Sequence, residues 1–202
     1  MKKWFMILLC ALLCLPLLAA AEDVQYDWYD DPAGRFSFAY PATWTVVSRE
    51  NIEATLDEAE KLDDEAFVAT LQSIREQVSM ADMVMVMSDN LTSNINMMPQ
   101  EVGMELTGEM LLELGAQLQT MLTEQMPGIK FPLDPYLIDL GDGKSALSVE
   151  YTYAIAGYEV YGVQTMHTKG TTLYTITLTS DTENAQTDAE VLGLVLGSLT
   201  VE

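Results

Sequence analysis

The chain has 202 residues, with 31 Asp and Glu against 9 Lys and Arg, and a formal net charge of −22. Such a balance disfavours nucleic acid and anionic membrane surfaces as partners; it leaves basic proteins or cations, with solubility as its plainest consequence. Both cysteines, Cys10 and Cys14, fall in the first 21 residues. The remainder therefore has no disulfide framework, no thiol catalysis and no cysteine-ligated zinc.

Met1-Lys2-Lys3 precedes an apolar run from Trp4 to Ala21, which ends Ala19-Ala20-Ala21 before Glu22-Asp23. A basic start, apolar middle and small-residue end read as a secretory signal peptide over 1–21. A retained anchor is the alternative, since the run approaches the ~20 residues of a span; Pro16 and the terminal alanines favour cleavage after Ala21. Lipidation is disfavoured because Cys10 and Cys14 each follow a leucine. Cleavage leaves one domain, 22–202, of a size that can build a real core. Loss of Lys2 and Lys3 takes the net charge from −22 to −24. The expected location is secreted or extracytoplasmic, with no membrane span after cleavage.

Tyr26, Trp28 and Tyr29 suggest an edge strand, closed by a turn at Asp30-Asp31-Pro32-Ala33-Gly34. Phe36, Phe38 and Tyr40 then alternate with Ser37 and Ala39, which places three aromatics on one face of a strand. Pro41 lacks an N–H and ends it. Trp44 re-enters an apolar run to Val47 and should plug the bend. A strand of the form F-x-F-x-Y-P-x-x-W near the mature N-terminus resembles the entry motif of the PsbP-like superfamily, in its bacterial secreted branch. That fold is shared by an extrinsic subunit of photosystem II, a yeast Ran-binding import factor and many bacterial envelope proteins. The resemblance covers roughly 25–201. It implies an α+β domain, an α/β/α sandwich with a central, mainly antiparallel twisted sheet flanked by helices, and mostly a non-catalytic role; it brings no catalytic motif.

Further along, a helix is expected over 48–61, with Ser48 as a possible cap and Ile52, Leu56 and Ala59 inward. A second begins near Asp63 with Phe67, Leu71, Ile74 and Val78 on one side. The acidic run Asp57–Glu65 lacks the Gly turn and convergent ligands of a calcium site and reads as a solvated face. Asp82–Met87 reads as a strand whose Met83, Met85 and Met87 pack on a helix; soft-metal binding by these methionines is the lesser reading. Asn90-Leu91-Thr92 matches a glycosylation acceptor, a common chance match. Asn94–Met98 is a strand closed by Pro99. Thr107 caps a long helix with Leu111, Leu114, Leu118 and either Met121 or Leu122 inward, stopped by Pro127-Gly128. From Tyr136 the texture is that of strands: 136–140, 146–155, 158–168 and 171–179, joined at Gly141-Asp142-Gly143-Lys144, Ala156-Gly157 and Lys169-Gly170. A last helix, capped by Asp181 or Thr182, turns Ala189, Leu192 and Leu196 inward, and Gly193 and Gly197 suggest close approach to the sheet.

Nothing in the pattern assigns a catalytic, cofactor-binding or metal residue. His167, the single histidine, is expected as a partly exposed strand residue, and no Gly-x-Ser-x-Gly elbow exists to recruit it. Gly141-Asp142-Gly143-Lys144 lacks the context of a phosphate loop, and Asp139, Asp142 and Gly143 only loosely match a calcium loop. The leading expectation is a non-catalytic accessory or binding protein of the envelope, with a basic protein or cations as partner and no cofactor. The alternatives are a carboxylate-dependent hydrolase, which would show two facing acids in a pocket, and a carrier of a small apolar ligand, with methionines and tyrosines lining a cavity between sheet and helix.

Overall fold

A computed structural model describes residues 25–61, 65–80, 82–141, 144–155 and 157–201. The expected leader over 1–21, the acids Asp63 and Asp64 and the turn residues Asp142 and Gly143 lie outside the described residues. In chain order the elements are β1 (Tyr26–Asp30), β2 (Phe36–Pro41), β3 (Thr45–Val47), α1 (Ile52–Lys61), α2 (Glu65–Met80), β4 (Val84–Met87) and β5 (Asn94–Glu101). They continue with α3 (Gly108–Gln125), β6 (Tyr136–Gly141), β7 (Lys144–Ile155), β8 (Tyr158–Lys169), β9 (Thr172–Asp181), α4 (Ala185–Ser198) and β10 (Thr200–Val201).

The architecture is α+β and the pairings are antiparallel, but the strands divide between two sheets. A seven-stranded sheet runs β3-β4-β5-β9-β8-β7-β6, and a three-stranded one runs β1-β2-β10. The aromatic strand β2 lies in the small sheet, and the turn after Pro41 carries the chain across to β3 in the large one. Phe36 and Phe38 are almost fully buried, stacked with ring centroids 6.3 Å apart, and Trp44 packs half-buried on the same core. Burying side chains of this size contributes about 1.5–3 kcal/mol each.

Three apolar clusters follow from strand periodicity. On one face of the large sheet, Val84, Val86, Ile95, Met97, Val163, Ile176 and Leu178 meet β2 and the Leu192 and Val195 side of α4. On the opposite face, Met85 and Met87 pack on α1 and α2 through Ile52, Leu56, Ala59, Leu71 and Val78. Farther along that face, Leu147, Val149 and Met166 meet Leu111 and Leu118 of α3. Helix α3 comes close to β7 because residue 115 is glycine: a Cβ there would stand 2.7 Å from the Pro135 Cβ and 2.9 Å from the Leu147 Cδ1. Thr107 caps α3 as expected, its Oγ1 accepting from the Met110 N–H. Leu122 rather than Met121 faces inward; Met121 is exposed.

Three expectations need correction. Pro99 does not close β5, which continues to Glu101 with Pro99 opposite Tyr174. Strand β4 covers β5 only from Asn94 to Met97, so beyond that point β5 has a free edge where a missing N–H breaks no ladder. The last helix begins after Asn184, not after Asp181 or Thr182; the Asp181 carboxylate instead accepts from the Asn184 N–H at 2.7 Å and shapes the preceding turn. Gly193 and Gly197 do not permit close packing, since a Cβ at either would meet nothing within 4 Å.

Two polar clusters join the layers. Arg35 bridges the buried Asp31 (Nη2–Oδ1 2.7 Å, Nε donating to Oδ2 at 2.7 Å) and Asp82, linking the first hairpin to the approach to β4. Asp188 is buried in the first turn of α4; it accepts from Ser180 at 2.6 Å and from Ser93, which ties the helix to the ends of β9 and β5.

Candidate functional site

A concave surface lies where the covering of the large sheet thins out. Helix α4 and the small sheet cover β4, β5, β9 and part of β8. Toward β7 and β6 that layer ends, and a cavity of about 500 Å³ opens between the sheet and the glycine side of α4. This volume falls within the usual range for small-molecule sites. Gly193 and Gly197, one turn apart, line it, and the open space over both is what side chains would otherwise fill.

Strand alternation supplies the floor. Tyr136, Ser148 and Thr165 lie in one cross-strand row, and Glu150 faces Val163 in the next. Tyr136 donates to Glu150 Oε1 at 2.5 Å and Tyr161 to Glu150 Oε2 at 3.1 Å, so one half-buried carboxylate is held between two phenols. Burial, then the Glu150 charge and its hydrogen bond, push the Tyr161 phenol well above its ordinary value of 10.0. Burial, then the Glu150 hydrogen bond, raise Tyr136 as well, with the neighbouring Ser148 hydroxyl acting against them. Both phenols therefore stay protonated and serve as donors. The Ser148 Oγ is fully buried at the cavity floor and has no hydrogen-bond partner of normal geometry, an arrangement that is costly unless something completes it. The facing wall is apolar, formed by Leu192, Leu196, Leu199 and Val201.

His167 lines the same cavity farther along β8, and it is 8 % exposed rather than partly exposed. On its other side it lines a smaller recess with residues 105–108, at the start of α3, and Ser145 of β7. Its Nδ1 lies 3.1 Å from the Ser145 carbonyl oxygen; that oxygen can only accept, so Nδ1 carries the proton and Nε2 remains available. Neither cavity hydroxyl is set up as a nucleophile by this imidazole: Thr165 donates to the Ile176 carbonyl at 3.2 Å, and Ser148 makes no hydrogen bond to His167. The two carboxylates of the lining, Glu150 and Asp139, do not face each other. Glu150 holds the phenols, whereas Asp139 accepts from the Gly141 N–H at 2.8 Å. Tyrosines do line the cavity, but methionines do not; Met85, Met87, Met97 and Met166 pack in the cores, and Met104, Met110 and Met121 are exposed. Among the described residues no group of three or more His, Cys, Asp or Glu side chains is placed to hold a metal ion, and no helix is long and apolar enough to cross a membrane.

Sequence reasoning assigned no role to Tyr136, Ser148, Glu150 or Tyr161. The available signal was polar residues recurring at period two on the face of β7 opposite Leu147 and Val149, a pattern that equally describes an ordinary solvent-facing strand.

No family model and no curated protein matches the chain by sequence. Solved structures do match in three dimensions. Cyanobacterial PsbP (CyanoP) from Synechocystis sp. PCC 6803 aligns at a TM-score of 0.60 and 14% identity, over 91% of this chain and 96% of that one. LpqN of Mycobacterium tuberculosis, described as involved in cell envelope biogenesis, aligns at 0.53 and 13% identity, over 92% and 96%. The Saccharomyces cerevisiae Ran-binding protein Mog1p aligns at 0.52 and 8% identity, over 88% and 96%. At such identities the likeness concerns architecture alone, and on that architecture this chain has the PsbP-like fold.

Proposed function

We propose that the protein is an exported, non-catalytic binding protein that holds a small molecule in the cavity between β6–β8 and α4. The observation that carries this reading is the cavity itself: about 500 Å³, with a polar floor at Tyr136, Ser148 and Glu150 and an apolar wall on α4. A few convergent polar groups within a largely preformed apolar surface are the usual make-up of a ligand site. The absence of a histidine–hydroxyl pair or facing acids in the lining supports binding rather than turnover. Export rests on the leader over 1–21, and the envelope role of LpqN is in keeping with it. The carrier expectation is thereby modified, since the ligand must satisfy a polar end as well as an apolar one.

The test is retention and displacement. Gently purified protein, examined intact by native mass spectrometry, should carry a small-molecule adduct, and Gly193→Leu should lose it by filling the mouth. If repeated preparations show only the bare polypeptide mass, and no small-molecule probe shifts the melting temperature, the reading fails.

A further inference from the structure

The chemistry of the cavity floor identifies the class of ligand. Glu150 is a half-buried carboxylate with no ion-pair partner among the described residues; the salt bridges present involve Asp31, Asp82 and Glu53. Its two phenol hydrogen bonds occupy two of roughly four lone-pair sites of an ionised carboxylate. Because both phenol protons are committed to Glu150, what Tyr136 and Tyr161 can offer a ligand is oxygen lone pairs. The Ser148 hydroxyl, fully buried at the same floor, adds an oxygen that can accept beside its own proton. Apart from the Ser148 proton, this end of the cavity presents acceptors around one negative charge. The complementary group is a cation with several N–H donors.

The basic side chains of the lining stand well away from that charge. His167 and Lys169 lie four and six residues along β8 from Val163, which stands opposite Glu150. At strand rise these are roughly 13 and 20 Å away. The field of a chain with net charge −22 concentrates small cations near the surface and repels anions. A neutral polyol fits poorly, since Leu192, Leu196 and Leu199 offer it no hydrogen bonds.

Resting on the cavity reading above, we infer that the site takes a small amphiphilic amine, with a primary or secondary ammonium against Glu150, the Tyr136 and Tyr161 oxygens and Ser148, and an apolar body against α4. The test uses three probes of similar size, 2-phenylethylamine, 2-phenylethanol and 3-phenylpropionate, titrated calorimetrically into the full chain and into Glu150→Gln and Gly193→Leu. The amine should bind at least tenfold more tightly than the alcohol or the acid, Glu150→Gln should erase that margin, and Gly193→Leu should weaken the binding. The first comparison needs no variant, so it stands even if Glu150→Gln folds poorly. Equal or tighter binding of the alcohol or the acid overturns the amine assignment while leaving the cavity reading in place, as does an amine affinity untouched by Glu150→Gln. If none of the probes binds, or if binding is indifferent to Gly193→Leu, both readings fall.

Discussion

Gly193 and Gly197 offer the sharpest test, because stability and binding should move in opposite directions there. Both sit inside α4, and a Cβ at either meets nothing within 4 Å. Replacing a helix-interior glycine by alanine restricts the unfolded chain and favours the helix by about 0.8–1 kcal/mol. The double variant Gly193→Ala/Gly197→Ala should therefore gain about 1.6–2 kcal/mol. For a domain of this size each kcal/mol moves the melting temperature by about 2–4 °C, so a rise of about 3–8 °C is expected by circular dichroism. Leucine has nearly alanine's helix propensity, so Gly193→Leu should keep most of its share of the gain while protruding into the cavity and weakening 2-phenylethylamine binding. A glycine retained for packing would behave differently. A melting temperature that falls in the alanine variants would mean that α4 lies closer to the sheet than described, and the explanation of these glycines as the opening of a site would be wrong.

Asp188→Ala should cost about 1–3 kcal/mol in urea unfolding, because it removes the charged acceptor shared by the buried hydroxyls of Ser93 and Ser180, which keep each other and the Asp181 carbonyl; a loss below about 0.5 kcal/mol would show that the cluster contributes little. The Arg35 hydrogen bonds, outweighing burial, hold the Asp31 carboxyl below its ordinary 3.8. Its folded value is depressed, so its contribution is complete above pH 3.8 and is lost as the pH falls through the lower folded value. Asp31→Asn should accordingly flatten the acid limb of stability against pH, and parallel limbs would refute the pairing. In alkaline titration followed by tyrosinate absorbance, Glu150→Gln should bring the Tyr161 transition down toward 10, since it removes the charge and hydrogen bond that add to burial in raising it; an unmoved transition would refute the Glu150 contribution.

Some of this was legible in the residues and some was not. The alternation Phe36-Ser37-Phe38-Ala39-Tyr40 and the stop at Pro41 appear in β2 as expected, because period two and the missing proline N–H act within a few residues. Thr107 and Pro127-Gly128 likewise bracket α3, with Gly128 at φ +91° after its end, for caps are local chemistry. The turn glycines Gly157 and Gly170 adopt positive φ and join the meander at the anticipated places. His167 went the other way: whether a strand residue is exposed depends on what lies around it, and its neighbours include residues about 60 positions earlier in the chain. Asp188 and Asn184 were missed for a related reason. A carboxylate in the first turn of a helix ordinarily reads as a dipole partner facing solvent, and only the arrival of Ser93 and Ser180 makes this one a buried acceptor.

The candidate site belongs wholly to this second kind. Tyr136, Glu150 and Tyr161 come from three strands, and each in isolation is an unremarkable polar residue on an alternating face. Local sequence by itself determined the periods, caps and turns that set which face of each strand is apolar. Only the packing of layers decided where α4 stops, that two glycines face the gap it leaves, and that a carboxylate, two phenols and a bare hydroxyl share its floor. The physical reason is range: backbone preferences are settled within one or two turns of chain, whereas desolvation and cavity shape are set by surfaces that meet only once the whole chain has folded.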